Sequence, residues 1–177
     1  CELAAYLHNK DMEINVWDRI IAFEGRMHEF IKAAYDYQDN TFHSHPGYYI
    51  DYFEMRLAQL QVLHNLHYEI KKIRKMPKQA LVIADYIMYM ADYVVEMNIP
   101  DQQIEKLEEI SEQMKQEELP KTREEFEGRA LLYHILMDLE EFLVYKKRFV
   151  SGLDEKKLRI YWKQEMEQKD SANELQK

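Results

Sequence analysis

Two stretches of the chain place an arginine at helical spacing from side chains that could pair with it or join it in binding a ligand. In residues 48–60, Tyr52, Arg56 and Gln59 follow one another at steps of four and three, which puts them on one face of a helix. An arginine beside an apolar seam must find a carboxylate or a carbonyl oxygen if it is buried. We therefore expect Arg56 to be at least partly buried and paired with a carboxylate.

The second stretch is residues 119–130, where Arg129 lies on a flank of the predicted helix and Glu140 and Glu141 follow about three turns later. Thr122 and Glu125 have the T-x-x-E spacing of a capping box, a specific signal for a helix start. We expect Arg129 to be partly buried and paired with a carboxylate as well. Such patterns usually indicate salt bridges between helices, and the alternative is ligand binding. The candidates for this polar cluster are Tyr52, Arg56, Gln59, Glu125, Arg129 and Glu140.

Histidines could supply a metal site, but their spacing matches no common motif. No histidine follows a glutamate by three positions, as di-iron bundles require. His28 is followed by Lys32 where a zinc protease needs a second histidine. His64 and His67 are three apart, and His134 could face them across a bundle to hold zinc. We expect no bound metal, with this three-histidine site as the alternative.

Enzyme signatures are missing from the sequence. It contains no Gly-rich phosphate loop and no serine in a nucleophile elbow, and Cys1, the single cysteine, lies at a terminus. We therefore expect no catalysis and no cofactor. A cavity lined by tyrosine and methionine between helices could hold a small aromatic molecule, although such stripes more often pack as core.

Composition indicates which elements must position these residues. The 177-residue chain is 46% hydrophobic and 32% charged, with only 4 Gly and 4 Pro. Few turn-forming residues favour long helices with short connections. The formal net charge of -9 argues against a nucleic-acid partner. The longest apolar stretch, residues 80–95, is shorter than the ~20 residues that cross a bilayer and carries Asp85 and Asp92.

Apolar periodicity predicts an all-α fold, an antiparallel up-and-down bundle of five to six helices. The first helix covers residues 12–38, and Pro46, Pro77 and Pro100 start the next three, which reach about Lys75, Asn98 and Glu118. A helix from the capping box runs to about Phe149, and a last one begins at Asp154. We predict a single domain over residues 1–177, with the bundle core in 12–150 and a C-terminal helix and polar tail in 154–177. The inward residues of the predicted helices include Phe23, Phe30, Leu81, Met88, Val94, Val95, Phe126 and Met137.

Charge is unevenly distributed. Residues 101–127 contain ten acids and four bases. Bases cluster in 71–78, 146–148 and 156–159. If the chain adjoins a membrane, the basic clusters should lie nearer to its anionic inner leaflet than the acidic helix does.

Two motifs carry a family resemblance. The stretch Tyr-Phe-x-Met-Arg-x-x-Gln-Leu at 52–60 and the stretch Leu-Pro-Lys-Thr-Arg-Glu-Glu-Phe-Glu-x-Arg-Ala at 119–130 resemble the C-terminal domain of the aromatic acid exporter family. Their order and separation are also similar, and the likeness spans about residues 47–150. The resemblance implies a bacterial membrane protein whose N-terminal half is hydrophobic helices and whose C-terminal half is a helical domain in the cytoplasm.

The resemblance therefore implies an accessory or regulatory domain on the cytoplasmic face of the cell membrane. The absence of an initiating methionine favours a segment of a longer protein. Its expected partners are the membrane-spanning part of the same protein, a second copy in a homo-oligomer, or a small aromatic acid. The alternative is an independent helical bundle that binds a small aromatic ligand or a metal.

Overall fold

The computed structural model describes residues 2–8, 16–40 and 46–162. In these residues the chain forms helices and no strands, which confirms the predicted all-α class. None of the described helices is both long enough and apolar enough to pass through a membrane. The predicted residues 12–15 of the first helix and the tail from 163 onward lie outside the described residues.

Seven helices follow one another along the described chain. They are α1 (Glu2–His8), α2 (Val16–Asn40), α3 (Pro46–Lys72), α4 (Ala80–Ala91), α5 (Asp101–Lys115), α6 (Arg123–Ser151) and α7 (Glu155–Tyr161). Helix α3 packs against α2 and α6, α1 packs against α4 and α3, and α5 packs against α6 and α4.

Local chemistry explains several helix ends. Thr122 is extended and its Oγ1 accepts a hydrogen bond from Glu125 N, so the predicted cap is confirmed. Asp154 caps α7 in the same way, through Lys157 N. Pro100 stands immediately before α5, as its missing N–H predicts. Helix α4 is shorter than predicted, because it begins at Ala80 rather than at Pro77 and ends at Ala91 rather than near Asn98.

The main core is an apolar cluster from α1, the second half of α3, α4, α5 and α6. Ile83, Leu132, Ile135 and Leu139 are fully buried at its centre. Gly128 lets α6 approach the α3–α4 connection, because a Cβ there would lie 2.9 Å from Pro77 Cγ. A second, smaller cluster joins the start of α3 to the end of α6 and to α7, with Tyr48, Met55, Phe149, Leu153 and Trp162.

Several residues predicted to face inward are exposed, and the sequence-based prediction was wrong for them. Of the α6 stripe, Phe126 and Met137 are more than 60% exposed, because α6 turns the face with Leu132, Ile135 and Leu139 toward the core. Six more residues predicted to face inward are also exposed. They lie on α2, which packs mainly against one neighbour, and on α4 and the segment after it: Phe23, Phe30, Leu81, Met88, Val94 and Val95.

Candidate functional site

The first predicted group, Tyr52, Arg56 and Gln59, forms a set of hydrogen bonds that connects α3 to α6. Arg56 Nε donates to Tyr52 Oη at 3.1 Å, and Arg56 Nη1 donates to Gln59 Oε1 at 2.9 Å. The guanidinium also lies over the Tyr52 ring, 5.1 Å from its centroid. Gln59 is buried, and its Nε2 donates to the carbonyl of Phe142 on α6 at 2.8 Å. The side chains thus link the two longest helices in the middle of their contact.

Arg56 is half-buried, as predicted, but its partners differ from the prediction. Within the described part of the chain it bonds to a phenol and an amide rather than to a carboxylate. The amide of Gln59 can accept from Arg56 while it donates to α6, which a carboxylate could not do. The expected ion pair at this position was therefore wrong.

The second predicted group has the expected ion pair. Arg129 Nη2 lies 2.7 Å from Glu125 Oε1, with the Arg129 side chain 15% exposed. Arg129 Nη1 donates to the carbonyl of Glu118 in the α5–α6 connection. The pKa of Glu125 is lowered, first by the N–H of Lys121 and then by Arg129. Arg129 therefore ties the start of α6 to the segment that precedes it.

The six candidate residues do not form one cluster. The carbonyl that Gln59 reaches belongs to Phe142, 13 residues after Arg129 on the same helix, which is roughly 20 Å along the axis. Glu140 is exposed and lies roughly 16 Å along α6 from Arg129. The structure thus places two separate polar groups at different levels of α6 and leaves Glu140 outside both.

An aromatic and cationic cluster lies at the other end of α6, where the sequence showed no motif. Trp162 Nε1 donates to Tyr48 Oη at 3.0 Å, and Tyr48 Oη donates to Glu96 at 2.8 Å. Burial is the main cause of the raised pKa of Tyr48. Lys146 is buried, contacts the Glu96 carbonyl and lies 5.4 Å from the Trp162 ring. Because Tyr48 and Trp162 are 114 residues apart, no local spacing could have indicated this cluster.

Basic and acidic segments of the chain lie close to each other in the structure. Lys146 is buried, so it cannot face a membrane surface, and Lys147 lies 3.0 Å from Asp101 at the start of the acidic helix α5. At the other end of α5, a cleft of about 560 Å³ is lined both by bases of the α3–α4 connection and by acids of 117–125. Bases and acids are therefore neighbours at both ends of α5.

The histidines do not supply a metal site in the described residues. No group of three or more histidine, cysteine, aspartate or glutamate side chains is arranged there to hold an ion. His67 is buried and its pKa is lowered by that burial, whereas His134 is exposed. The three-histidine alternative therefore lacks the geometry that it needs. His43 and His45 lie outside the described residues.

A second concave feature is an apolar groove of about 640 Å³ between helices. Its lining comes from α1, α2, α3, α4 and α6 and from the residues after α4. The side chains are Leu3, Arg19, Ile20, Phe23, Arg26, Leu60, Leu63, Leu66, Ile87, Met90, Ala91, Val94, Leu139 and Phe142. Aliphatic and phenylalanine side chains predominate in this lining, unlike the tyrosine- and methionine-lined cavity that the sequence left open as an alternative to a packed core. Sequence reasoning missed the groove because its walls come from distant parts of the chain.

The chain is similar in sequence and in fold to known proteins. The chain is 32% identical over 98 residues to the uncharacterized protein YqjA of Bacillus subtilis (strain 168), an alignment that covers 55% of this chain and 30% of that protein. The chain therefore spans less than a third of the length of this relative. A crystal structure of a putative membrane protein from Clostridium difficile 630 superimposes with a TM-score of 0.73 at 25% sequence identity, covering 84% of this chain and 88% of that one.

The family assignment follows from a match over most of the chain. The profile described as putative aromatic acid exporter C-terminal domain matches residues 1–147. This range contains both motifs on which the resemblance was based, together with helices α1 to α5 and most of α6. The chain belongs to the family described as putative aromatic acid exporter C-terminal domain.

Proposed function

We propose that this chain is a non-catalytic accessory and regulatory domain on the cytoplasmic face of a membrane exporter of aromatic acids. The observation that carries the proposal is the family match over residues 1–147, whose description names the C-terminal domain of an exporter. In this arrangement the transport path belongs to membrane-spanning helices of the same protein. The domain itself supports their assembly, gating or response to an effector.

The related proteins support this assignment of transport and regulation to two different regions of one protein. The alignment with the Bacillus subtilis relative covers only 30% of that protein, which leaves room there for a further region. The superimposed crystal structure belongs to a protein described as a putative membrane protein. A domain of similar fold is therefore found in a protein with that description.

The polar groups of the domain favour structural over catalytic roles. The Arg56 group bonds to Tyr52, Gln59 and, through Gln59, the α6 backbone. The Arg129 group bonds to Glu125 and a backbone carbonyl. Each arginine is thus engaged in holding helices or connections together, which is the function that we propose for both groups.

The end of α3 is the side that we expect to face the bilayer. Lys71, Lys72, Arg74 and Lys75 are exposed there, and each base near an anionic leaflet gains about 1 kcal/mol. Lys146 takes no part in this contact because it is buried. Reversing the charge of Lys71 and Lys75 should therefore weaken membrane association of the domain in vesicle co-sedimentation, unlike reversal of the exposed Lys106 on α5.

The decisive experiment removes residues 1–177 from the full-length protein. We expect the truncated protein to be inserted in the membrane but to lose regulated efflux of aromatic acids, or the resistance that efflux confers. An Arg123→Ala full-length protein is the matched control, because this arginine is 89% exposed. Unchanged insertion, assembly and efflux after the deletion would show that the domain is dispensable and that the proposal is wrong.

A further inference from the structure

The apolar groove is a preformed concavity whose floor is part of the core. Leu66, Leu139 and Phe142 are buried at its base, and Ile20 of α2 is buried at its edge. Its volume of about 640 Å³ falls within the roughly 300–1,000 Å³ typical of small-molecule sites. An apolar lining is also typical of such sites. The groove could therefore accept a compact apolar group without any rearrangement of the helices.

Part of the lining remains open to solvent. Phe23 is 39% exposed and Val94 is 40% exposed, on opposite walls formed by α2 and by the residues after α4. Covering this surface would remove apolar area from water, which stabilises the complex by about 25 cal/mol per Å². Phe23 and Phe142 also offer aromatic rings, against which a flat ring can pack edge-to-face or offset.

The rim of the groove is positively charged. Among the described residues that line it, the ionisable ones are Arg19 and Arg26 of α2. They are seven positions apart, so they lie on the same side of α2 roughly 10 Å apart along its axis. The Arg26 guanidinium stands 5.3 Å from the Phe23 ring centroid, next to the apolar lining. Arginine binds carboxylates through two parallel hydrogen bonds.

We propose that the apolar groove binds a small aromatic carboxylate. Its ring occupies the space between Phe23 and the buried floor at Phe142, and its carboxylate pairs with Arg26 at the rim. The ligand is thus an amphipathic anion whose two parts match the two parts of the groove. The role of this ligand as an effector rests on the proposed function, since an exporter could sense its own class of cargo here.

Calorimetric titration of the 177-residue chain with 2-naphthoate tests the binding site. We expect saturable binding, with the neutral analogue 2-naphthamide at least about tenfold weaker, because it lacks the charge-assisted hydrogen bond to arginine and tenfold corresponds to about 1.4 kcal/mol. Arg26→Gln should cause a similar loss for naphthoate and little change for the amide. The matched control Arg123→Gln, at an exposed arginine on α6, should bind like wild type.

A blocking variant makes the test specific for the groove. Ala91 lines it and is exposed, so Ala91→Phe should fill the space, abolish binding and leave the melting temperature unchanged. Naphthoate binding that survives Ala91→Phe, or no binding to wild type, would overturn the proposal. Equal affinity for naphthoate and the amide would also overturn it. Tighter binding of decanoate than of naphthoate would overturn it too and would identify a site for an acyl chain. A dimer in sedimentation that Ala91→Phe dissociates would identify a second copy as the occupant and would also overturn it.

The binding site and the proposed function can fail separately. If the chain binds naphthoate but deletion of the domain leaves efflux unchanged, the site stands and the regulatory function is wrong. If the chain does not bind naphthoate but the deletion abolishes efflux, the inference about the groove is wrong and the domain function stands. Efflux measured in the full-length protein with Ala91→Phe connects the binding site with the regulatory function. Efflux by this variant should no longer respond to naphthoate only if the groove binds naphthoate and the domain also regulates transport.

Discussion

Helices α2 and α6 carry apolar residues at similar spacing but bury them to different extents. On α6, Leu132, Ile135 and Leu139 are completely buried among several other helices. On α2, Ile21 is 48% exposed and Phe30 is 46% exposed, because this helix packs mainly against α3. The comparison shows that periodicity identifies an apolar face, whereas the number of neighbouring helices decides how much of it is removed from water.

The strongest test of this comparison is removal of one large side chain from each helix. Leu139→Ala should reduce the free energy of unfolding by about 3 kcal/mol, because it leaves a cavity in a packed core. Ile21→Ala on α2 should change it by no more than about 0.5 kcal/mol, as expected for an exposed position. Urea denaturation followed by circular dichroism measures both. Equal losses would mean that α2 is as deeply packed in solution as α6.

The two helices also contain a matched pair of glycines. Gly128→Ala on α6 would bring a Cβ within 2.9 Å of Pro77 and 3.3 Å of the Lys75 carbonyl, so we expect a loss of about 2 kcal/mol from overpacking. Gly25→Ala on α2 meets nothing within 4 Å and should gain about 0.5–1 kcal/mol from helix propensity. The same denaturation measurement therefore predicts opposite signs. A gain at both positions would show that the α6 contact with Pro77 is loose.

Two arginines on α6 extend the comparison of buried and exposed positions to single ion pairs. Arg129 is 15% exposed and bonded to both Glu125 and the Glu118 carbonyl, whereas Arg123 is 89% exposed beside Glu127. Arg129→Ala should lower the melting temperature by about 2–4 °C. Arg123→Ala should leave it unchanged within error, because exposed pairs contribute little. Melting of both variants at the wild-type temperature would show that Arg129 is a surface residue in solution.

The smallest expected effect is a pH dependence from His67 in the core half of α3. Burial, followed by the charges of Lys71 and His64, lowers the pKa of His67 from its usual 6.5. Near pH 6 the unfolded chain therefore binds more protons than the folded chain, so stability from this group is present above about pH 6.5 and decreases as the pH falls.

His67→Gln should accordingly flatten the stability profile between roughly pH 7.5 and 5.5. His28→Gln, at an exposed position on α2, is the matched control and should keep the wild-type profile. Denaturation at several pH values compares the slopes. The same slope in His67→Gln and wild type would show that this imidazole is accessible to solvent.

Much of the fold follows from local sequence, and the candidate site does not. The cap at Thr122 and the helix that starts after Pro100 were predicted because a hydroxyl acceptor and a missing N–H act on adjacent residues. A carboxylate partner for Arg129 was also predicted, but the structure pairs it with Glu125, one helical turn away, rather than with Glu140 or Glu141. The partner of Arg56 was predicted wrongly as a carboxylate. An amide is used instead because the same side chain must also donate to the Phe142 carbonyl on another helix.

The sequence by itself determined that the chain is all-α, where most helices begin, and which family it belongs to, because these depend on periodicity, capping and motifs within short segments. Only the tertiary structure decided that Phe126 and Met137 face solvent, that Trp162 bonds to Tyr48, and that five helices leave an apolar groove beside Arg26. Those outcomes depend on how helices distant in sequence rotate and pack against one another. Many rotations bury similar apolar area, so the choice among them rests on the complete set of contacts.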